Sequence, residues 1–84
     1  MQFVILVPHA STVALVGDFN DWDATVTPMH TASQSGMWSV TIPVLAGRHR
    51  YAFLVDGHRW LADPSAPPAQ DDFGAPSSVV TIGG

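Results

Sequence analysis

The segment YAFLVDGHRWL at residues 51–61 decides the fold, because it predicts a β-hairpin. Tyr51, Phe53 and Val55 recur at every second position, as in a strand with one buried face. Asp56-Gly57 then supplies the two central residues of a type I′ turn, both of which need a positive φ. The hairpin therefore places Trp60, on its second strand, at one end of a sheet.

The rest of the chain repeats this alternation. Short runs rich in valine, isoleucine, threonine and aromatic residues are separated by Gly, Pro, Asp and Ser at roughly ten-residue spacing, which is typical of an all-β sandwich or barrel. Trp38 alternates with Val40 and Ile42 and is therefore predicted to lie in the core. We predict about seven short strands, near residues 2–7, 12–17, 25–29, 37–43, 48–55, 59–61 and 78–82.

Composition limits the possible partners. The 84 residues make one domain, and a hydrophobic fraction of 46% with 12% charged residues is typical of a folded chain. Seven acidic residues against three arginines give a net charge of −4, which excludes the basic surface that phosphate backbones require. We therefore expect no nucleic-acid partner.

The N-terminal segment at residues 1–7 is apolar, but Pro8 follows long before the roughly 20 residues of a membrane span. It is predicted to be a first strand, and no membrane partner is expected. The missing targeting signal and the missing cysteines favour a cytoplasmic location. The abrupt start within a strand suggests that this single domain, residues 1–84, was excised from a longer protein.

Motifs for catalysis and metal binding do not emerge. Asp18, Asp21 and Asp23 lack the glycine and glutamate positions of a calcium loop, and aspartates at a turn commonly bind their own backbone. The four histidines lack metal-ligand spacing, and no G-x-S-x-G motif places a serine beside a base. We expect no enzyme activity, no metal and no cofactor.

Trp22 and Trp60 are the candidate ligand-binding residues. Each follows a tight-turn signal instead of lying in an alternating strand, although full burial of such a side chain removes roughly 150–250 Å² from water. A flat indole face fits the C–H face of a pyranose ring, with about 1–2 kcal/mol for each contact before association costs. Two contacts predict weak binding, about millimolar to micromolar.

Three motifs then carry a resemblance to a known family: GDFNDW at 17–22, GRHRYAFLVDG at 47–57 and WLADP at 60–64. In this order and spacing they resemble the glycogen-binding domain of the AMP-activated protein kinase β subunit and carbohydrate-binding module family 48. The resemblance covers residues 3–82. It implies an immunoglobulin-like, early-set antiparallel β-sandwich that binds α-1,4-glucans such as glycogen, starch or maltodextrins.

The family's sugar site combines two stacking tryptophans with an apolar residue in a late loop. By position, Trp22 and Trp60 match the tryptophans and Phe73 matches the apolar residue. Phe73 belongs to a long proline-containing segment, residues 62–78, which is expected to be an ordered and functional loop.

The polar half of the family's site differs here. Ala52 stands in the place of a lysine, and Ser77 stands in the place of an asparagine. Arg50 lies on the same strand face as Ala52 by alternation and is the candidate replacement for the charge. A lysine restored at position 52 is then expected to tighten glucan binding. One extra residue between Asp56 and Trp60 is expected to change the direction of that indole.

Two functions of different classes follow. The first is non-catalytic glucan binding by Trp22, Trp60 and Phe73, with Arg50 and Ser77 as polar contacts. The alternative is a structural or protein-interaction early-set module of a larger enzyme or regulator, with no sugar binding of its own, whose tryptophans contact another domain of the parent protein. The oligomeric state stays open.

Overall fold

In the computed structural model, residues 1–31, 36–64, 66–70 and 76–83 are described, and these ranges contain eight strands and no helix. The strands are β1 (Gln2–Leu6), β2 (Val13–Gly17), β3 (His30–Thr31), β4 (Met37–Thr41), β5 (Gly47–Val55), β6 (Arg59–Leu61), β7 (Pro68–Gln70) and β8 (Pro76–Ile82). The predicted all-β, antiparallel sandwich is confirmed. No helix in these ranges could cross a membrane.

The strands form two antiparallel sheets. The smaller sheet has the order β1-β4-β3, and the larger sheet has the order β2-β5-β8-β7. Strand β5 is the longest, so it has room for two partners on one side: residues 47–51 pair with β8 and residues 53–55 pair with β6. Strand β2 pairs along the other side of β5.

The hydrophobic core lies between the two sheets. Trp38 is only 7% exposed and Phe53 is fully buried, which confirms the core prediction made from their alternation. The rings of Phe3 and Tyr51 meet edge to face with centroids 5.0 Å apart, one ring from each sheet. The buried cluster comprises Phe3, Ile5, Val7, Val13, Leu15, Met29, Trp38, Tyr51, Phe53 and Val55.

The turn between β5 and β6 has the predicted backbone. Asp56 and Gly57 have φ of 55° and 75°, and the His58 amide donates to the Val55 carbonyl at 3.2 Å. Because Val55 pairs with Arg59, His58 is the additional residue of this hairpin.

The Asp56 carboxylate ties this hairpin to the segment that precedes β2. It accepts hydrogen bonds from the amides of Ser11 and Thr12, at 2.6 and 3.0 Å. The Thr12 and Ser11 bonds stabilise the charged carboxylate and hold the pKa of Asp56 below its usual value.

The strand predicted at residues 25–29 is wrong. The Asp23 carboxylate accepts hydrogen bonds from the amide and hydroxyl of Thr25, at 2.8 and 2.6 Å, and so closes a turn over residues 24–26. Residues 27–29 meet β2 at one isolated bridge, between Pro28 and Ala14. Two backbone hydrogen bonds flank it, from the Leu15 amide to the Thr27 carbonyl at 2.9 Å and from the Met29 amide to the Val13 carbonyl at 2.8 Å. The chain then crosses to the smaller sheet, where β3 begins two residues later.

The segment at residues 62–78 contains more regular structure than expected. Strand β7 pairs with the start of β8, which begins at Pro76 and not at residue 78. Pro68 is compatible with β7 because a strand at the edge of a sheet leaves one row of amides unpaired. Phe73 lies outside the residues that the structure describes.

Candidate functional site

The turn at residues 17–22 positions the first candidate indole. The amides of Asn20 and Trp22 both donate to the Gly17 carbonyl, at 3.2 and 2.9 Å. Asp21 and Trp22 have φ of 56° and 58°, a left-handed conformation that bulky side chains rarely adopt. Such conformations persist only where surrounding contacts impose them, so contacts around this turn fix the position of Trp22.

The Asn20 side chain provides part of that constraint. Its Oδ1 accepts the Gly17 amide at 3.0 Å, while Nδ2 donates to the Leu15 carbonyl and to Thr27 Oγ1, both at 3.0 Å. These three bonds connect the turn to the end of β2 and to the segment that follows it. The asparagine of the GDFNDW motif therefore stabilises the turn and is not free to bind a ligand through these groups.

Asp18 anchors the same turn to β5. Its amide donates to the Arg50 carbonyl at 3.1 Å, and its Oδ2 accepts the Arg50 amide at 3.0 Å. Its Oδ1 lies 2.9 Å from His49 Nδ1, while His49 Nε2 lies 2.8 Å from the Leu45 carbonyl. A histidine between two acceptors needs both protons, so Asp18 first and then the carbonyl raise the pKa of His49.

The second indole reaches the same region from the other side of β5. Trp60 pairs with Leu54, which places it on the outer face of the larger sheet, the face turned away from the core. Its Nε1 donates a hydrogen bond to the Pro76 carbonyl of β8. This bond fixes the ring of β6 against β8. It occupies the only polar group of the indole.

Trp22 and Trp60 stack on each other. Their ring centroids are 5.9 Å apart and their planes differ by 27°. Both side chains are half-buried, so each ring covers part of the other and still contacts solvent. We call Trp22 and Trp60 the indole pair.

Beside the indole pair, a row of small side chains crosses three strands. Val16 of β2 pairs with Ala52 of β5, and Ser77 of β8 follows on the other side, because Ser78 pairs with Tyr51. Alternation places all three on the outer face, yet all three are fully buried. Trp60 extends toward this row, since its hydrogen-bond acceptor belongs to the residue next to Ser77.

The Ser77 hydroxyl is unusual within this row. It is buried, and it makes no hydrogen bond in the part of the chain that the structure describes. An unpartnered buried hydroxyl costs about 1–3 kcal/mol, so it is rarely kept without a reason. Its neighbour Ser78 instead points inward and bonds the backbone of Asp63.

The structure thus brings some of the predicted site residues into contact and leaves others apart or outside the described ranges. Trp22 and Trp60 are in contact, Ser77 lies in the buried row beside them, and Arg50 is half-buried on the same sheet face. Phe73 cannot be placed, since it lies outside the described residues. Sequence reasoning missed Val16, although the unbroken apolar run at residues 13–16 is the signal of a strand with two buried faces.

Metal ligands are not gathered in this region or elsewhere in the described ranges, where no group of three His, Asp or Glu side chains is placed to hold an ion. The chemistry of the site is therefore that of two aromatic faces, one buried hydroxyl and one guanidinium.

Comparison with known proteins finds one matching family and several relatives. The model of carbohydrate-binding module 48 (isoamylase N-terminal domain) matches residues 1–66. The chain is 36% identical over 84 residues to 1,4-alpha-glucan branching enzyme GlgB 2 of Rhizobium etli, a match that covers 98% of this chain and 12% of that protein. The corresponding enzyme of Chlamydia muridarum is 33% identical over 82 residues, with 98% and 11% covered. GlgB 2 of Streptomyces coelicolor is 37% identical over 84 residues, with 95% and 11% covered.

Proposed function

The chain belongs to carbohydrate-binding module family 48, and from this premise we propose that it binds α-1,4-linked glucans, such as glycogen, starch or maltodextrins, without catalysing a reaction. The related proteins named above are 1,4-alpha-glucan branching enzymes. The chain spans only 11–12% of their length, so the activity of those enzymes is not carried over to it.

The observation that carries the proposal is the indole pair on the outer face of the larger sheet. Two segments that are far apart in sequence hold these rings together: the turn with a left-handed Trp22, and strand β6, whose Trp60 bonds the Pro76 carbonyl. A pair of aromatic faces that remains half in solvent suits the C–H faces of consecutive glucose units. Because each ring covers part of the other, we expect contact through the remaining faces and edges.

This geometry predicts weak binding. A stacking contact is worth about 1–2 kcal/mol before association costs, and a partly covered indole offers less area than a free one. Millimolar to micromolar dissociation constants, roughly 4–8 kcal/mol, are therefore expected.

The polar residues of the site support sugar binding less strongly than the indole pair does. Ser77 offers a hydroxyl without a partner in the described residues, and Arg50 offers a cation on the same sheet face. Because Ser77 is fully buried, a glucan hydroxyl supplies the missing hydrogen bond only where the side chains that cover Ser77 move aside. From the family resemblance we also propose Phe73 as the apolar residue of the site.

A titration tests the proposal. Maltoheptaose or β-cyclodextrin is added to the folded chain while tryptophan fluorescence is followed, and the measurement is repeated with Trp22→Ala and Trp60→Ala. We expect a saturable change that each substitution abolishes. Leu45→Ala is the matched control, because Leu45 is 83% exposed in the loop before β5, and this variant should bind normally. Absence of any response at several millimolar sugar contradicts the proposal.

A second candidate function, docking to another domain of a longer parent chain, is favoured by a different surface. The outer face of the smaller sheet exposes Val4, Leu6 and Met37, which are 38%, 61% and 46% exposed. Its three strands carry no Asp, Glu, Lys or Arg. The Rhizobium etli relative is about eight times as long as this domain. If Leu6→Lys binds glucan normally, this apolar surface takes no part in glucan binding, and its function is separate from that of the indole pair.

A further inference from the structure

A cavity of about 420 Å³ lies between the segment that follows β1 and the smaller sheet. We call it the end cavity. Among the described residues, Val7, Ala10 and Trp38 provide apolar lining and His9, Ser11 and Thr31 provide polar lining. Gly36 also lines the cavity. It shares no lining residue with the indole pair. Its volume lies in the range of small-molecule sites, about 300–1,000 Å³.

The lining selects a neutral ligand that is apolar on one side and hydroxylated on the other. None of the lining residues that the structure describes is Asp, Glu, Lys or Arg. The Thr31 hydroxyl donates to the Met37 carbonyl at 2.9 Å and keeps its lone pairs as acceptors. The imidazole of His9 and the hydroxyl of Ser11 also line the cavity, and both groups can bond a ligand.

The backbone around the end cavity is constrained in this shape. His9 has a φ of 69°, unusual for a residue with a side chain, and Gly36 has a φ of 80°. A Cβ at Gly36 would lie 3.1 Å from Pro8 Cα, so the two segments approach closely there. The Val7 amide donates to the Gly36 carbonyl at 2.7 Å, and Trp38 Nε1 donates to the Val7 carbonyl at 3.3 Å.

We propose that the end cavity is a second sugar site, which takes one glucose unit of a short α-glucan. The C–H face of the pyranose contacts Val7, Ala10 and the part of Trp38 that lines the cavity, and its hydroxyls bond His9, Ser11 and Thr31. This site goes beyond the proposed function, which concerns the indole pair alone. A chain with two separate sugar sites binds long glucans more tightly than short ones, because the second contact becomes intramolecular.

The three tryptophans allow a selective test. In a double variant, Trp22→Phe with Trp60→Phe, the aromatic cover of the sheet is kept and Trp38 is the only indole that remains. Its fluorescence then reports the end cavity. We expect a saturable change with maltotriose in the millimolar range. Adding Ser11→Phe, which fills the cavity from an exposed position, should abolish the change without unfolding the chain.

The outcomes separate the two sites. If Trp38 emission in the double variant does not respond while the natural chain responds to the same sugar, the end cavity is not a sugar site and the indole pair remains one. If neither chain responds, both proposals fail. A Trp38 response that persists after Ser11→Phe in a folded chain places the sugar elsewhere and overturns the inference. Amide chemical shifts of Ala10 and Ser11 provide an independent measurement that does not depend on fluorescence.

Discussion

Trp38 and Trp60 are the same amino acid in two different surroundings. Trp38 lies between the sheets, is 7% exposed and alternates with other core residues along β4. Trp60 lies on the outer face of the larger sheet, half-buried, and stacks on Trp22. Both donate their indole N–H to a backbone carbonyl, of Val7 and of Pro76 respectively.

The difference shows that the surroundings of a tryptophan in the fold decide whether it stabilises the core or is available to a ligand. Trp38 is surrounded by apolar side chains from both sheets and contributes to the stability of the sandwich. Trp60 contacts one other indole and the backbone of a neighbouring strand, and it keeps part of its ring in water. Trp38 is almost completely buried because two sheets enclose it, and the small part that remains exposed lines the end cavity. Trp60 has only one sheet beneath it.

The largest expected effect tests this contrast directly. Trp38→Ala should lower the free energy of unfolding by about 3–5 kcal/mol, because it leaves a large void between the sheets. Trp60→Ala should cost clearly less, since the truncated side chain was already half-exposed. Denaturant unfolding of both variants measures the difference. Equal losses would show that Trp60 is part of the core and would remove the basis for its ligand role.

A lysine at position 52 tests how tightly the side chains around Ala52 cover the outer face of the larger sheet. The sequence alone predicts tighter glucan binding for Ala52→Lys, but Ala52 is fully buried in the row beside the indole pair. We now expect a loss of about 1–3 kcal/mol in unfolding free energy, because the longer side chain must displace its packed neighbours.

Thr81→Lys is the matched control, since Thr81 is exposed on β8. We expect its unfolding free energy to stay within about 0.5 kcal/mol of the natural chain. Both variants are measured by thermal and denaturant unfolding. An unchanged unfolding free energy for Ala52→Lys would mean that the side chains around the indole pair move aside easily.

The smallest expected effect concerns pH. The pKa of His49 is raised above its usual 6.5, by the hydrogen bond to Asp18 first and the Leu45 carbonyl second. Its contribution to stability is therefore complete below the unfolded-state pKa and is lost as pH rises through the higher folded-state value. We expect the melting temperature to fall slightly over this window in the natural chain.

Asp18→Asn should flatten that dependence, because it removes the charge that favours the protonated imidazole. His30→Gln provides the control, since His30 is exposed on β3, and it should keep the slope of the natural chain. Identical slopes for Asp18→Asn and the natural chain would show that Asp18 and His49 do not interact in solution. The same scan with maltoheptaose present measures whether the Trp22 turn depends on this pair.

Prediction from sequence succeeded where the signal was local. The hairpin at Asp56-Gly57 and the core positions of Trp38 and Phe53 followed from turn chemistry and from period-two alternation. It failed at residues 25–29, where the β-prone residues Thr25 and Val26 suggested a strand. There the Asp23 side chain competes for the backbone, and this competition is invisible to alternation.

The candidate site divides in the same way. The resemblance named Trp22, Trp60 and Ser77, but it did not indicate that the indoles stack on each other or that the Ser77 hydroxyl is buried. Distances between side chains from separate turns depend on how β2, β5 and β8 are arranged. That arrangement is a property of the whole sheet and not of any motif.

The amino-acid sequence by itself determined an antiparallel β-sandwich, a type I′ hairpin turn and two tryptophans that follow turn signals, because each depends on neighbours within a few residues. Only the tertiary structure decided which outer-face residues are covered, since Val16, Ala52 and Ser77 form one buried row through pairing across three strands. It also decided the 5.9 Å contact of Trp22 with Trp60, 38 positions apart, because β2, which leads into the Trp22 turn, and β6, which carries Trp60, both pair with β5.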